Sequence, residues 1–543
     1  MKSVKLFDWK SRKVRGAALA VLLILAFLLG IWLFNKPTVQ PVQHVRHLFN
    51  VKEMGAAGDA SHDDTKAIQK ALNQAKTSDR SIKVVVPAGT YKLTNTLHIY
   101  KNTHLVLEDG ATFLRSHDDT ILMNGDYGDS YSSYNGQGNI TIEGGVWEGN
   151  IQNYPDSFNA IGLARGKNIT IRHIEVRDIA SGHAIDLNSS MNVTIENNKF
   201  LGYRDVSPNH SRYYAEAIQV AEHTKLGYSH VGKFDGTPNQ HVIIRNNEFG
   251  PSGTPETTAW PVGVGNHGSV HNQFNRDIQI YDNTFNGMTF TGVRIFKWKD
   301  TLVKNNTFLN CDRGVSFSNP DGVGEASKTA DGQQTSLPQS GSDAKIIGNT
   351  FKDTKQENIF AVGWPKNDTI AKINGMTIAN NVFQQQLSDN KPSLYLKWVN
   401  QVTISNNTFT TAYRGIDLEF ASNTTISENQ FEDITTDGIT VDEPDQPYQN
   451  KGYTSDVTIQ NNQLSNIAGV GIQLQFTNGF TVKENTIDPK SYPLQTAILA
   501  RNYSQNGDIS SNTIYASSFN RGKAVDVTNT CLNVKVADNL KTN

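Results

Sequence analysis

Four residues in the middle of the chain carry the side chains that acid–base chemistry needs: Asp186, Glu216, Asp235 and His267. The first two sit in or beside short alternating runs. In Ala184-Ile185-Asp186-Leu187 the two aliphatic residues are expected to point one way and Asp186 the other. The same alternation turns Gln219 outward between Ile218 and Val220, and Arg294 outward between Val293 and Ile295. If these strands are neighbours, Asp186, Gln219 and Arg294 share one outward column, with Gly263 as a dent between the last two. Two carboxyls roughly 5 to 9.5 Å apart are the apparatus of glycosidic-bond hydrolysis. Asp186 and Glu216 would lie on adjacent strands but three positions apart, with backbones about 11 Å from each other on ordinary strand dimensions. Long side chains would have to narrow that gap. Asp235, in Phe234-Asp235-Gly236-Thr237-Pro238, is a third carboxyl delivered by a loop.

Around these acids stand groups suited to holding a ligand rather than reacting with it. His183, Gln219, Arg294, Lys297, Tyr214 and Trp260 are the expected substrate contacts, because aromatic faces and forked cations suit sugar rings and carboxylates. Each residue also has an ordinary structural reading. Asp186 alone is a solvated face residue, and Arg294 beside it a cross-strand ion pair. His183 and His267 would cap turns, Glu216 would pair with Arg212, and Asp235 before Gly-Thr-Pro would form a turn.

What positions them is a repeat. Asn-Asn-x-Phe occurs at Asn197 to Phe200, Asn246 to Phe249, Asn305 to Phe308, Asn380 to Phe383 and Asn406 to Phe409. Weaker copies end at Phe285, Phe351, Phe431, Leu464, Ile487 and Ile514. Successive copies are never closer than 22 residues, as between Asn407 and Asn429, and are often farther, as between Asn198 and Asn247. That pattern implies one structural unit with loops of varying size. Short alternating runs such as Val193-Thr194-Ile195 precede the motif, and others such as Gly415-Ile416-Asp417-Leu418 follow it. Both read as half-buried strands. Asn tolerates left-handed backbone at a corner, and stacked Asn side chains can bond up a column. A single coil cannot bury its apolar face, but a stack of them can. The fold class is therefore all-β: a single-stranded parallel β-helix, expected over residues 48–543.

The remaining features bound the setting. The net charge of −2 and the lack of a basic stripe give no sign of a nucleic-acid partner. Cys311 and Cys531 make no disulfide framework and no metal-ligand spacing, so no metal and no cofactor is expected. Six cations in residues 1–15 precede an apolar stretch that runs from Ala17 to Phe34. We read residues 16–34 as an uncleaved transmembrane signal anchor, since the exit Ile31-Trp32-Leu33-Phe34 is bulky. The charge bias keeps residues 1–15 inside and exports the rest to the outer face of the cell membrane. Residues 35–47 read as a linker. A helix over about residues 64–76, with Ile68, Ala71, Leu72 and Ala75 on one stripe, is expected to cap the first coil. Gly322 to Ser342, rich in Gly, Ser and Gln, reads as a long mobile loop.

Several of these stretches carry a resemblance. Met54 to Asp59, Asp63 to Leu72, Val85 to Tyr91 and Leu105 to Ala111 resemble the opening of the pectin-lyase-like superfamily. Its members are right-handed parallel β-helices acting on acidic or complex polysaccharides. The order of Asp186, the Glu216–Gln219 segment, Gly265-Asn266-His267-Gly268 and Val293-Arg294-Ile295-Phe296-Lys297 is similar to that of the polygalacturonase motifs. The paired acids of that family are replaced here by Gln219 with Glu216. Asn266 stands before His267 where the family has Gly, and Lys297 falls one place late. The resemblance implies a polysaccharide-cleaving enzyme, with a glycoside hydrolase first, which the anchor segment would hold at the membrane surface. The alternatives are a lyase of the same fold and a non-catalytic glycan-binding solenoid.

Overall fold

The structure is a computed structural model that describes residues 47–387, 390–442, 454–488, 496–515 and 523–542. The basic tail, the proposed membrane segment and nearly all of the linker lie outside the described residues. Among those described, no helix is long and apolar enough to cross a membrane. His47 onward forms one compact unit.

Nearly every strand pairs in parallel with the equivalent strand of the next coil, building three long sheets along one axis. The sheet that matters for function has 15 strands. It includes Ile185–Asn188, Glu216–Ala221, Val262–Gly265, Thr291–Phe296 and Val315–Ser318. Stacked coils of this kind make a parallel β-helix.

The repeat motif divides its labour between its two Asn positions. The first residue takes left-handed backbone at the corner, with φ of 56° at Asn197, 54° at Asn246 and 52° at Asn305. Asp282, Gly348, Glu428 and Ser511 do the same work elsewhere, so this position varies. The second is Asn throughout and points inward. Its amide donates to the carbonyl of the next, 3.0 Å from Asn247 to Asn283 and 3.0 Å from Asn283 to Asn306. This ladder continues to Asn512 and Asn539. From Phe200 to Phe431 the Phe of one motif stacks on that of the next, with ring centres 4.7 Å apart for Phe249 and Phe285 and 5.0 Å for Phe285 and Phe308. Opposite these rings only glycine fits. A Cβ on Gly292 would stand 2.4 Å from the Phe308 ring. Gly263 faces the Phe285 ring in the same way, so it belongs to the core and not to the outward column.

The cap is as expected. An α-helix over Thr65–Leu72 runs into a 3-10 turn over Asn73–Ala75 and buries Ile68, Ala71, Leu72 and Ala75. Asp64 does not cap it. Its carboxylate accepts from the backbone amides of Ala57 and Gly58 instead. Cys311 is buried, whereas Cys531 is half-buried beside the core. The stretch from Gly322 to Ser342 is held rather than free. It includes a 3-10 turn at Glu325–Ser327, and the Lys328 carbonyl accepts from the His271 amide at 2.7 Å.

Candidate functional site

The register of the 15-stranded sheet sets the site. Gly162, Asp186, Gln219, Gly265, Arg294 and Ser316 are successive partners across neighbouring strands. The outward column expected for Asp186, Gln219 and Arg294 exists, with Gly265 in the gap rather than Gly263. Its members are outward but not solvated, because the long loops fold back over them. Asp186 is 1 % exposed and Gln219 4 %. The loop after Ala221 brings Tyr228 across so closely that a Cβ on Gly162 would meet its hydroxyl at 2.5 Å.

Asp186 is occupied. Its Oδ1 accepts from Asn188 at 2.7 Å and Gln219 at 2.8 Å, and its Oδ2 from Asn159 at 3.1 Å. Three neutral amides satisfy the carboxylate without a cation.

Glu216 stands at the head of its strand with no exposure at all. The loop after Gly265 folds back so that His267 Nδ1 lies 2.9 Å from Oε2 and 3.2 Å from Oε1. His183 packs behind. Its Nδ1 donates to the Glu216 backbone carbonyl at 2.8 Å, and its ring stacks on His267 at 5.9 Å. Tyr214 covers the other side of His267, 4.8 Å between ring centres. Burial alone raises the Glu216 pKa, but the His267 imidazole, with His183 and Arg294 behind it, outweighs that and holds it below the usual glutamate range. Burial dominates at His183 and lowers its pKa despite Asp186 and Glu216 nearby. Glu216 is thus held as a buried anion.

These groups open onto a cleft of about 570 Å³, lined in part by His183, Arg212, Tyr214, Gln219, Glu222 and His267. One wall is the stretch after Gly322, through Glu325, Lys328 and Thr329. Composition gave no signal for that role. Among the described residues, Arg212, Lys225 and Arg294 form no ion pair with a carboxylate, whereas Lys328 pairs with Glu325 at 2.6 Å. Arg294 instead lies over Phe290 and Phe296, 5.7 and 5.2 Å from the ring centres. Among the described residues no three metal-binding side chains group together.

Three expected site residues do other work. Asp235 pairs with Arg165 at 2.7 Å and accepts from Thr237 at 2.6 Å, locking a loop corner. Trp260 is fully buried against Tyr203, 5.1 Å between centres, because the preceding turn tucks it inward. Lys297 is also fully buried, and its Nζ donates to the Val270 carbonyl at 2.5 Å. It lies at a left-handed corner, φ 59°, where the chain leaves the sheet. Glu222, by contrast, was missed. It is 2 % exposed, and neither carboxylate oxygen makes a direct hydrogen bond. Burial raises its pKa to about 7 against the pull of Lys297.

The fold places the molecule among the parallel β-helices. The chain belongs to the rhamnogalacturonase A/epimerase, pectate lyase-like family, whose model matches residues 48–323, just over half of its length. Residues 337–540 match the right-handed β-helix region. It is 27% identical over 431 residues to plasmin and fibronectin-binding protein A of Streptococcus pneumoniae, covering 71% of this chain and 57% of that protein. It is 28% identical over 163 residues to a mannuronan C5-epimerase of Azotobacter vinelandii, covering 27% of this chain and 16% of that one. The chain therefore spans little more than half of the first relative and far less of the second. The crystal structure of PfbA, a surface adhesin of Streptococcus pneumoniae, shares the fold at a TM-score of 0.59 and 24% identity, covering 72% of this chain and 90% of that one.

Proposed function

We propose that this protein cleaves an acidic polysaccharide by elimination at a uronate ring, with His267 as the base. The observation that carries this is the 2.9 Å contact from His267 Nδ1 to a fully buried Glu216. A carboxylate so placed fixes the imidazole's tautomer and orientation, leaving Nε2 for the substrate. Arg294 and Arg212 neutralise the uronate carboxylate, which acidifies the neighbouring ring proton. His267 takes that proton, the bond to the glycosidic oxygen breaks as the ring double bond forms, and the Tyr214 hydroxyl protonates the leaving oxygen. Glu216 is a positioning residue. Hydrolysis shared by Asp186 and Glu216 is the weaker reading, since it needs two carboxyls at the bond. Here one is held by three amides and the other is shielded behind His267.

A second reading, a binding surface without catalysis, is favoured by the relative named for plasmin and fibronectin binding. We also propose that residues 16–34 hold the β-helix at the outer membrane surface. The test of function is a panel of polygalacturonate, alginate and hyaluronan assayed for unsaturated and for reducing ends. Unsaturated ends that vanish in His267→Ala support elimination. Reducing ends alone restore hydrolysis, and glycan retention without cleavage leaves the binding reading.

A further inference from the structure

The outward column does not stop at the cleft. Beyond Arg294 it continues through Ser316, Phe360, Tyr395 and Asp417 as successive register partners. Two neighbouring aromatics on the outer face of a solenoid are out of place among solvated side chains, and both are only half-buried. In-register parallel strands aim them the same way, so their rings lie 5.6 Å apart and within 25° of parallel. Together they make one flat apolar step. It is linked to Arg294 by a chain of cation–ring contacts. Arg294 lies over Phe290 at 5.7 Å, and Arg313 lies over both Phe290 and Phe360, at 5.9 and 4.9 Å.

The charges around this step differ from those of the cleft. Arg313 pairs with Glu357 at 2.6 Å, Lys397 with Glu419 at 2.7 Å and Arg414 with Asp417 at 2.7 Å. Every cation on this rim is already matched by a carboxylate. Among the described residues, Arg212 and Lys225 of the cleft, and Arg294 near Glu216 and Tyr214, form no ion pair with a carboxylate.

We propose that Phe360 and Tyr395 form a binding site for an uncharged sugar ring. It lies two to three coils from Arg294, about 10 to 14 Å on ordinary strand spacing. The apolar face of a pyranose fits an aromatic step, and its hydroxyls fit the paired charges around it. Two rings are too small a platform for a protein partner, which needs about 800 Å² per side. This inference rests on the polysaccharide reading and adds to it that the polymer mixes acidic and neutral units.

The test is affinity electrophoresis of the full chain through gels containing hyaluronan, which alternates a uronate with an uncharged sugar, or polygalacturonate, which is uronate throughout. The Phe360→Ala/Tyr395→Ala double variant should bind hyaluronan about tenfold more weakly and polygalacturonate as the wild type does. Arg294→Ala should weaken both. Circular dichroism should be unchanged, since both aromatics face outward. Wild-type retention of hyaluronan by the double variant overturns the inference, as does an equal loss on polygalacturonate. Should the double variant behave as wild type while uronate polymers are still bound and cut, only the aromatic site fails. Should neither gel retard the wild type, the polysaccharide reading fails with it.

Discussion

His267 and Glu216 are 51 residues apart in sequence, yet Nδ1 of one stands 2.9 Å from Oε2 of the other. The strand Glu216–Ala221 presents the carboxylate, and the loop after the next strand of the same sheet brings the ring back over it. Only His267 of the two reaches the cleft, its side chain 24% exposed against none for Glu216.

His267→Ala should therefore lower turnover by about 10² to 10⁴, the usual worth of one acid–base group. Glu216→Gln should lower it as well, but by acting on the base. The amide removes the anion and invites the wrong tautomer, so the pH–rate profile should shift, whereas a purely structural role would change only stability. Because the folded Glu216 pKa lies below its unfolded value, its contribution to stability is present above the usual glutamate range. It is lost as pH falls through the lower folded value. Acid titrations of wild type and Glu216→Gln, followed by circular dichroism, check this.

Glu222 behaves in the opposite sense. Its folded pKa is raised to about 7, so between the ordinary value and 7 the folded state holds a proton that the unfolded chain has shed. Stability falls as pH rises through that window. Glu222→Gln removes the penalty and should raise the melting temperature at pH 8, by about 1 to 3 kcal/mol in stability, with little effect at pH 5. Lys297, lowered to about 8 by burial, contributes the converse slope at higher pH. A Glu222→Gln variant no more stable than wild type at pH 8 would show that the carboxyl finds a partner in solution.

The Asn ladder gives the sharpest stability prediction. In mid-ladder, Asn306 donates to the Ile280 carbonyl and the Asn349 side chain, and accepts from Asn283. Asn306→Ala strands buried partners on both neighbouring coils and should cost about 3 kcal/mol or more. Asn539→Ala, at the half-exposed end, should cost much less. Urea melts of the two variants compare them directly. Equal losses would mean that the ladder is not the cooperative element.

These contrasts show which parts of the molecule were legible beforehand. The ladder was, because each coil asks the same thing of the same position and the sequence answers with Asn every time and with Phe in most copies. The column of Asp186, Gln219 and Arg294 was legible too, since alternation along a strand is a local matter. Its gap was misplaced by two residues. Strict alternation would put Gly263 and Gly265 on one face, and only the contact of Gly263 with Phe285 shows that the alternation breaks there. The burial of Trp260 and Lys297 and the capture of Asp235 by Arg165 depend on how loops of unlike length fold back, which no repeat governs. Glu222 was missed for a similar reason. A carboxyl at a strand end looks solvated until the chain beyond it closes over.

The pairing of Asp235 with Arg165 separates structure from chemistry. Arg165 is fully buried, and its guanidinium is divided between Asp235, Thr237 and backbone carbonyls from Ser133 and Lys233. Removing the carboxylate leaves a buried cation short of its anion, the costly half of a broken ion pair. Asp235 is itself partly solvated, which moderates the loss to about 2 kcal/mol. Burial raises the Asp235 pKa, but Arg165 and Thr237 outweigh it and lower the folded value. Its stabilisation is thus present above the ordinary aspartate range and fades as pH falls through the folded value. Asp235→Ala should therefore melt earlier than wild type at pH 7, with the difference closing in acid. Once folded it should keep most of its turnover, unlike His267→Ala. A variant that melts normally but loses turnover would put Asp235 back among the reacting groups.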